Sequence, residues 1–280
     1  MTPTVQLVAL LLIPASLICT SAAAIDTGGV GILGGLRREA TLEPGQSQRG
    51  TILVTNAGAE PAEVKVYQTD YTPLIGGCKY GEPGRSPRSN AKWIALTPLQ
   101  FVIPPGDSTQ VYYTISVPAD PELRGSYWSM IMVEPIRPIS EQEPKRLEND
   151  QIGVGVRSVV RYAVLMVTHV GNTGTRGLRI VERTMDQAKD KRLLQLHVEN
   201  TGERLLRCKV WADLYDQEGR YIGRYGREPE YGFYPGCVVQ AQIDLTEVPP
   251  GAYKALVVLD AGGEDVFGAQ YDLQLEGPTE

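Results

Sequence analysis

The sequence predicts an all-β protein made of two tandem immunoglobulin-like β-sandwich domains. Runs rich in β-branched and aromatic residues alternate with Gly, Pro and Asn along the chain, and no convincing amphipathic helix interrupts them. A set of turn motifs also occurs twice in the same order. The length of 280 residues, less the first 24, suits two domains of ordinary size. Short strands at this spacing are typical of sandwiches.

The internal repeat begins with an Asn-x-Gly turn in each half. Residues 56–58 precede a Val-Lys-Val-Tyr strand, residues 200–202 precede Cys-Lys-Val-Trp, and the spacing from Asn to Lys is the same in both. Each half continues with a Pro-Gly turn, a further Pro and a Gly-x-Tyr motif: Pro105-Gly106, Pro118 and Gly125-Ser-Tyr127, then Pro235-Gly236, Pro249 and Gly251-Ala-Tyr253. Glycine permits the positive φ of tight turns, and the two tyrosines are expected to pin sandwich corners through their hydroxyls.

Four segments follow from these patterns. Residues 1–24 are predicted to be an export signal, because an interrupted apolar run ends in the small residues that signal peptidase requires. Domain one is expected over 26–170, a turn-rich flexible linker over 171–177 and domain two over 178–277. No other apolar run is long enough to cross a bilayer, so no integral membrane segment is expected after cleavage.

Charge and motif content argue against several functions. The net charge of −6 does not favour nucleic-acid binding. The two histidines, His169 and His197, fall in predicted strands and lack metal-ligand spacing. A Gly-x-Ser-x-Gly elbow and a phosphate-binding loop are both missing from the sequence. We therefore expect that the protein is not an enzyme, has no catalytic residues, and binds no metal and no cofactor.

Three cysteines remain after signal cleavage. Strand periodicity places Cys208 and Cys237 toward the core of domain two, where a disulfide between them is plausible in an oxidising compartment. Two buried free thiols fit this pattern as well. Cys78 follows Gly76-Gly77 and is expected on a loop, where it could be free or form an intermolecular link.

The long extended run after residue 151 is the most informative segment. A charged loop precedes it, and Ile152, Val154 and Val156 alternate with Gly and Arg before the run continues to residue 170. This is much longer than an average strand. Its early part could extend past the core and offer an edge to which a partner strand is added. The alternative is a long last strand buried within its own sheet.

The order of these pieces resembles the PapD-like periplasmic chaperones of chaperone–usher pilus assembly. The resemblance is carried by Leu36-Arg37-Arg38 before a Leu-Glu-Pro-Gly turn, by residues 93–106, 117–118 and 125–135, and by 157–162 after the polar loop. In that family the last strand of domain one lends alternating apolar residues to an incomplete pilus subunit. Two basic residues in the cleft between the domains grip the terminal carboxylate of that subunit.

The resemblance implies specific roles in this sequence. Ile152, Val154 and Val156 would be the donor residues, Arg161 the anchor on the strand and Arg37 or Arg38 its partner. An Arg pair suits this role because a guanidinium binds a carboxylate through two parallel hydrogen bonds. The family commonly has Lys at the strand position, and Arg157 is a competing choice. The alternative for Arg37 and Arg38 is a solvated strand end.

The expected partners are subunits of a pilus or surface structure, with an outer-membrane usher also possible, and the expected location is the periplasm. The same motif order also resembles, more weakly, the surface proteins that bind WxL domains on Gram-positive walls. The second hypothesis is therefore a structural or adhesive cell-surface protein. The chaperone hypothesis predicts loss of binding on Val154→Asp or Arg161→Ala, whereas the surface-protein hypothesis predicts no effect of these changes.

Overall fold

The computed structural model describes residues 29–136, 160–187, 191–226 and 229–277. The prediction of an all-β fold is confirmed, because the described chain consists of strands with a single short 3₁₀ turn, Ala91–Trp93. No described helix is long and apolar enough to cross a membrane. The proposed export signal and the donor residues Ile152, Val154 and Val156 lie outside the described residues.

The first unit is a sandwich of two sheets. One sheet has the strand order β1-β3-β8-β6, and the other has the order β2-β10-β9-β4-β5 with β7 also paired to β4. The strands are β1 Val30–Leu33, β2 Arg37–Leu42, β3 Ser47–Asn56, β4 Ala62–Leu74, β5 Gly77–Gly81, β6 Ile94–Thr97, β7 Gln100–Ile103, β8 Ser108–Ser116, β9 Gly125–Ile136 and β10 Tyr162–Val170.

The core of this unit lies between its sheets because alternate residues of each strand point inward. Ile52 and Val54 from β3 meet Ile131 from β9 and Met166 from β10, and all four side chains are almost completely buried. The expected long strand after residue 151 is observed over nine residues, Tyr162–Val170. Its earlier part lies outside the described residues.

The second unit has its own two sheets and its own core. Three strands follow the order β11-β12-β16, and a larger sheet follows β14-β13-β17-β18 with β15 paired to β13. Leu196, Val210, Ile243 and Val257 are buried between them. The strands are β11 Leu178–Asp186, β12 Leu193–Asn200, β13 Leu206–Tyr215, β14 Tyr221–Gly226, β15 Tyr231–Phe233, β16 Val238–Asp244, β17 Gly251–Asp260 and β18 Val266–Leu275.

The Asn-x-Gly repeat makes the same hydrogen bonds in both units. The Asn56 amide donates to the carbonyls of Glu60 and Ile103 at 2.7 and 3.0 Å, and its Oδ1 accepts from the Gly58 N–H at 2.9 Å. The Asn200 amide likewise donates to the carbonyls of Arg204 and Phe233, and its Oδ1 accepts from Gly202. Each Asn therefore bonds its own turn to the end of a distant strand, where its amide satisfies a buried carbonyl.

The two tyrosines of the repeat behave differently. The Tyr253 hydroxyl donates to the Pro249 carbonyl at 2.9 Å and pins a corner, as expected. The Tyr127 ring instead packs against Trp93 at 4.5 Å and lies under the Arg88 guanidinium. No described residue bonds to the Tyr127 hydroxyl, so the expectation for this tyrosine is wrong within the described chain.

The segment 171–177 connects β10 to β11 and is held on both sides. The Gly171 N–H donates to the Leu42 carbonyl at 2.9 Å, and Arg204 from the second unit donates to the Gly171 carbonyl at 3.0 Å. The Glu203 N–H donates to the Thr175 carbonyl at 2.9 Å. The segment predicted as a linker is therefore hydrogen-bonded to both units.

A third apolar cluster joins the two units. Trp128, Met130, Leu165 and Val167 of the first unit pack with Leu205 and Tyr234 of the second, all largely buried. The face of the β2-β10-β9-β4 sheet that points away from its own core thus carries the interface between the units.

The cysteine expectations need two corrections. Cys208 is buried in the core of the second unit, as predicted, but Cys237 packs against the cluster between the units. Cys237 precedes β16 in a turn, so the strand periodicity does not extend to it. Both thiols are free, and so is that of Cys78. Cys78 lies in an exposed strand, β5, instead of a loop, because the hairpin turns earlier, between Leu74 and Gly77.

Candidate functional site

The edges of β10 are paired to different extents. β9 pairs with β10 along its whole length, from Tyr162 to Val170. β2 pairs with β10 in parallel only from Leu165 onward, and its first rung is the hydrogen bond from the Leu165 N–H to the Leu36 carbonyl at 2.9 Å. Upstream of Leu36 the chain crosses to the other sheet, where β1 pairs with β3. Residues 162–164 therefore have no described strand on this side.

The direction of the backbone amides defines what this open edge offers. Amides of successive residues in a strand point to opposite edges. Because the Leu165 N–H points toward β2, the Ala163 N–H points toward the same edge, where β2 is absent. The Val164 amide points toward β9, opposite Ile131. Among the described residues, Ala163 therefore presents a backbone position without a partner on this edge, which is the requirement for adding a strand from another chain.

A groove between the two units begins beside this edge. It has a volume of about 530 Å³, and its lining includes Arg37 of β2, Tyr71 of β4, and Arg207, Tyr231 and Tyr234 of the second unit. The Tyr71 and Tyr234 rings meet edge to face at 5.6 Å. Burial raises the pKa of both phenols. They therefore stay protonated, so the groove combines cations with neutral aromatic walls.

Arg37 is the cation at the β10 side of the groove. It lies in register with Leu165, and its side chain is 26% exposed. Its Nε and Nη2 donate to the two carboxylate oxygens of Glu39 at 3.1 and 3.2 Å. Arg207, across the groove, is paired with Glu230 at 2.5 Å.

Arg38 does not share this position. Its guanidinium donates to the carbonyls of Gly35 and Arg37, so it is bound to its own strand end. Of the two residues that the sequence left open, the structure therefore places Arg37 in the groove.

Arg161 lies on the same sheet face as Arg37 but in a separate cluster. It pairs with Glu134 at 3.4 Å, and Glu134 also accepts from the Tyr67 hydroxyl at 2.9 Å and pairs with Lys65. Burial alone would raise the pKa of Glu134, but these hydrogen bonds and the Arg161 charge outweigh it and lower that pKa. Arg161 precedes Leu165 by four residues, which is about 13 Å along a strand. The structure does not bring it beside Arg37.

A row of hydrogen bonds behind Arg37 was not predicted. The Leu205 N–H donates to Ser126 Oγ at 2.9 Å, and Ser126 Oγ lies 2.7 Å from His169 Nδ1. His169 Nε2 lies 2.7 Å from Glu39 Oε1. These contacts lower the pKa of Glu39 to about 2: the His169 hydrogen bond has the largest effect, burial opposes it, and Arg37 adds to the lowering.

The Ser–His–Glu order resembles a nucleophile with its base, but its surroundings differ. Ser126 is completely buried, and its oxygen already accepts from Leu205, so a substrate cannot reach it in this conformation. Within the described ranges no group of three His, Cys, Asp or Glu residues could hold a metal ion.

Comparison with known proteins finds similarity only among solved structures. No protein-family model and no curated protein matches the chain. A chaperone–tip adhesin complex of CFA/I fimbriae matches at 14% identity over 89% of this chain and 99% of that chain, with a TM-score of 0.46.

Two further matches are of the same kind. The CsuC–CsuE chaperone–subunit complex of Acinetobacter baumannii matches at 13% identity over 86% of this chain and 97% of that one, with a TM-score of 0.44. The E. coli chaperone DraB matches at 16% identity over 88% and 98%, with a TM-score of 0.38.

Proposed function

We propose that this protein is a chaperone that binds an incomplete β-sandwich subunit of a pilus or related surface fibre by β-strand addition. The observation that carries this proposal is the open edge of β10 before Leu165, which lies directly beside Arg37 and the groove between the two units. A partner strand laid along this edge would pair with the free backbone groups.

The sequence upstream of the edge suits the same role. Ile152, Val154 and Val156 alternate with small or polar residues, and such a pattern presents apolar side chains on one face of an extended chain. In this proposal they fill the gap left by the missing strand of the subunit. Main-chain hydrogen bonds would supply affinity, and the alternating side chains would supply specificity.

Arg37 is proposed as the anchor for the terminal carboxylate of the subunit. A guanidinium has five N–H donors, and Glu39 accepts from two of those on Arg37, which itself lines the groove. No other described side chain accepts from the remaining donors, which in this proposal bind the carboxylate. Arg207 lines the same groove and supplies the second cation of this site. Arg161, which precedes β10 and pairs with Glu134, would contact the added strand before that strand reaches the groove.

The proposed setting is the periplasm, reached through the export signal at residues 1–24. There the protein would hold a subunit until an outer-membrane usher or the growing fibre takes it over. The chemistry required is binding alone, so no cofactor is invoked.

Photo-cross-linking in the producing cells tests this proposal. We replace Ala163 with p-benzoylphenylalanine and use Tyr112 of β8 as the control site, because it is 53% exposed on the other sheet. We expect one discrete adduct with a single small β-rich protein at position 163, and its loss when Arg37→Ala is added. Equal adducts at both sites would contradict the proposal. Retention of the protein on the cell surface without an adduct would favour the structural or adhesive alternative.

A further inference from the structure

We propose that Glu39 and His169 are positioning residues that hold Arg37 in the orientation needed to bind a carboxylate, and that domain two sets this orientation through Ser126. This inference rests on the proposed function, because it concerns how the same groove discriminates a chain terminus. Glu39, His169 and Ser126 are not among the binding residues predicted from the sequence.

The first step is the fixed geometry of Arg37. A free arginine side chain samples many rotamers, and binding must restrict them. Here both carboxylate oxygens of Glu39 bind the guanidinium, at 3.1 and 3.2 Å, which fixes its plane. Within the described part of the chain, the donors that Glu39 does not use have no acceptor, and Arg37 lines the groove. A cation that is already oriented binds its anion with a smaller entropic cost.

The second step is that Glu39 is itself held. Its Oε1 lies 2.7 Å from His169 Nε2, and His169 Nδ1 lies 2.7 Å from Ser126 Oγ. Ser126 Oγ accepts the Leu205 N–H, so its hydroxyl proton is free to be donated to Nδ1. The hydrogen-bond network therefore assigns the histidine proton to Nε2, where it is donated to Glu39. Every donor in the row then has one acceptor.

The third step is that the row crosses between the two units. Arg37, Glu39, Ser126 and His169 belong to the first sandwich, whereas Leu205 belongs to the second. The Ser126 N–H also donates to the Glu203 carbonyl at 2.9 Å, so the serine is bonded to the second unit at two points. Ser126 is fully buried and His169 is 8% exposed, which leaves the row little freedom to adjust. The docking of the second unit thus determines where Arg37 points.

The experiment compares two forms of one peptide on the full mature chain. The probe is a fluorescein-labelled peptide of alternating Val and Thr that ends in Tyr, made with a free terminal carboxylate or with a terminal amide. Fluorescence anisotropy gives the affinity for each. We expect the wild type to prefer the carboxylate form about tenfold, the effect of one charged hydrogen-bonded contact.

Glu39→Gln and His169→Leu should abolish this preference, so that both peptides bind with about the same affinity. The glutamine amide would turn an N–H donor toward Arg37, and the leucine would donate no hydrogen bond to Glu39. His169→Gln keeps a donor and should retain most of the preference. Asp216→Asn removes a similar acid from the exposed pair with Arg220 and should leave the preference unchanged. If these residues acted only in folding, the substitutions would weaken the binding of both peptides equally and leave the ratio of the two affinities unchanged.

Two outcomes overturn the inference in distinguishable ways. If Arg37→Ala abolishes the preference while Glu39→Gln and His169→Leu keep it, Arg37 acts without positioning and only this inference fails. If the wild type binds both peptides equally, the groove does not recognise a carboxylate. If Arg37→Ala keeps the preference, the carboxylate is recognised by a group other than Arg37. The proposed function of Arg37 then fails together with the inference.

Discussion

The Leu165 N–H donates to the Leu36 carbonyl at 2.9 Å, and this hydrogen bond marks the point at which β2 leaves β10. On the N-terminal side of β2 the chain turns at Gly34, whose φ is +88°, and the preceding strand, β1, belongs to the other sheet. This change of sheet exposes the upstream edge of β10 and leaves Arg37 beside it. The open edge and the adjacent cation therefore have a common structural cause.

A pair of proline substitutions should separate partner binding from folding. Ala163→Pro removes an N–H that points to the open edge, so the sheet should form normally while the adduct with the partner is lost. Val164→Pro removes an N–H that points to β9 and should destabilise the domain by about 1–3 kcal/mol, because the buried Ile131 carbonyl loses its partner. Urea unfolding measures stability, and cross-linking from an adjacent site on the same edge measures partner binding. Equal destabilisation by both variants would show that the Ala163 amide is already bonded within the protein.

The contact between Gly125 and Glu203 should limit side-chain size at the junction. A Cβ on Gly125 would lie 2.1 Å from the Glu203 carbonyl oxygen, and the φ of Gly125 is +76°. We expect Gly125→Ala to cost about 3 kcal/mol, because it forces the units apart and strains the backbone. Gly106→Ala is the matched control: its φ is +73° but its Cβ meets nothing, so it should cost about 1 kcal/mol. Chemical denaturation measures both, and equal losses would contradict this account of the junction.

The repeated asparagines should be essential in each unit separately. Asn56→Ala and Asn200→Ala each remove at least two donated bonds and one accepted bond from a buried site, so we expect a loss of about 2–4 kcal/mol. Asn172→Ala, which loses one exposed bond to Arg176, should cost less than about 0.5 kcal/mol. Hydrogen exchange should assign each loss to its own unit. A loss near the control value at either site would contradict the proposed equivalence.

The lowered pKa of Glu39 predicts a dependence of stability on acid. Its folded pKa is about 2 and the unfolded reference is 4.5, so its stabilising contribution is complete above pH 4.5 and is lost as the pH falls toward 2. Because the carboxylate is half-exposed and water screens it, we expect about 1 kcal/mol. The stability difference between the wild type and Glu39→Gln should therefore shrink between about pH 5 and pH 3 in urea unfolding. If the stability difference between the two proteins did not change with pH, the charge of Glu39 would not be the source of its stabilising effect.

The three thiols should react in a fixed order. Cys78 is exposed, whereas burial raises the pKa of the Cys237 thiol and raises that of Cys208 to about 12. Since the thiolate is the reactive form, maleimide should label Cys78 first, Cys237 more slowly and Cys208 only on unfolding. Mass spectrometry of protein purified without reductant measures the rate at which each cysteine is labelled. If Cys208 and Cys237 stay unlabelled after denaturation, they are joined in a disulfide and the structure is contradicted.

The fold was predictable because its signals are local. Asn56 and Asn200 lie in short Asn-x-Gly turns that are visible in the sequence, and each Oδ1 accepts from the glycine two residues on. The error at Cys237 has the opposite origin: alternation was extended past the start of β16, where the chain turns and the period of two no longer applies.

The groove was less predictable because its parts come from distant segments. Arg37 was identified through resemblance, but Arg207, Tyr231 and Tyr234 reach it only when the two units dock. His169 and Glu39 are 130 residues apart, and no spacing encodes their contact. One signal was available: His169 shares strand parity with Leu165 and Val167, which places all three on the face toward the second unit.

Hydrogen exchange at Ala163 tests the central claim most directly. In the free protein the Ala163 amide should exchange much faster than that of Val164, because only Val164 is directed toward β9. In the complex with the partner that cross-linking identifies, the strand-addition account predicts strong protection of Ala163 with little change at Val164. An Ala163 amide that stays unprotected while the partner is bound, or that is already protected in the free protein, would contradict it.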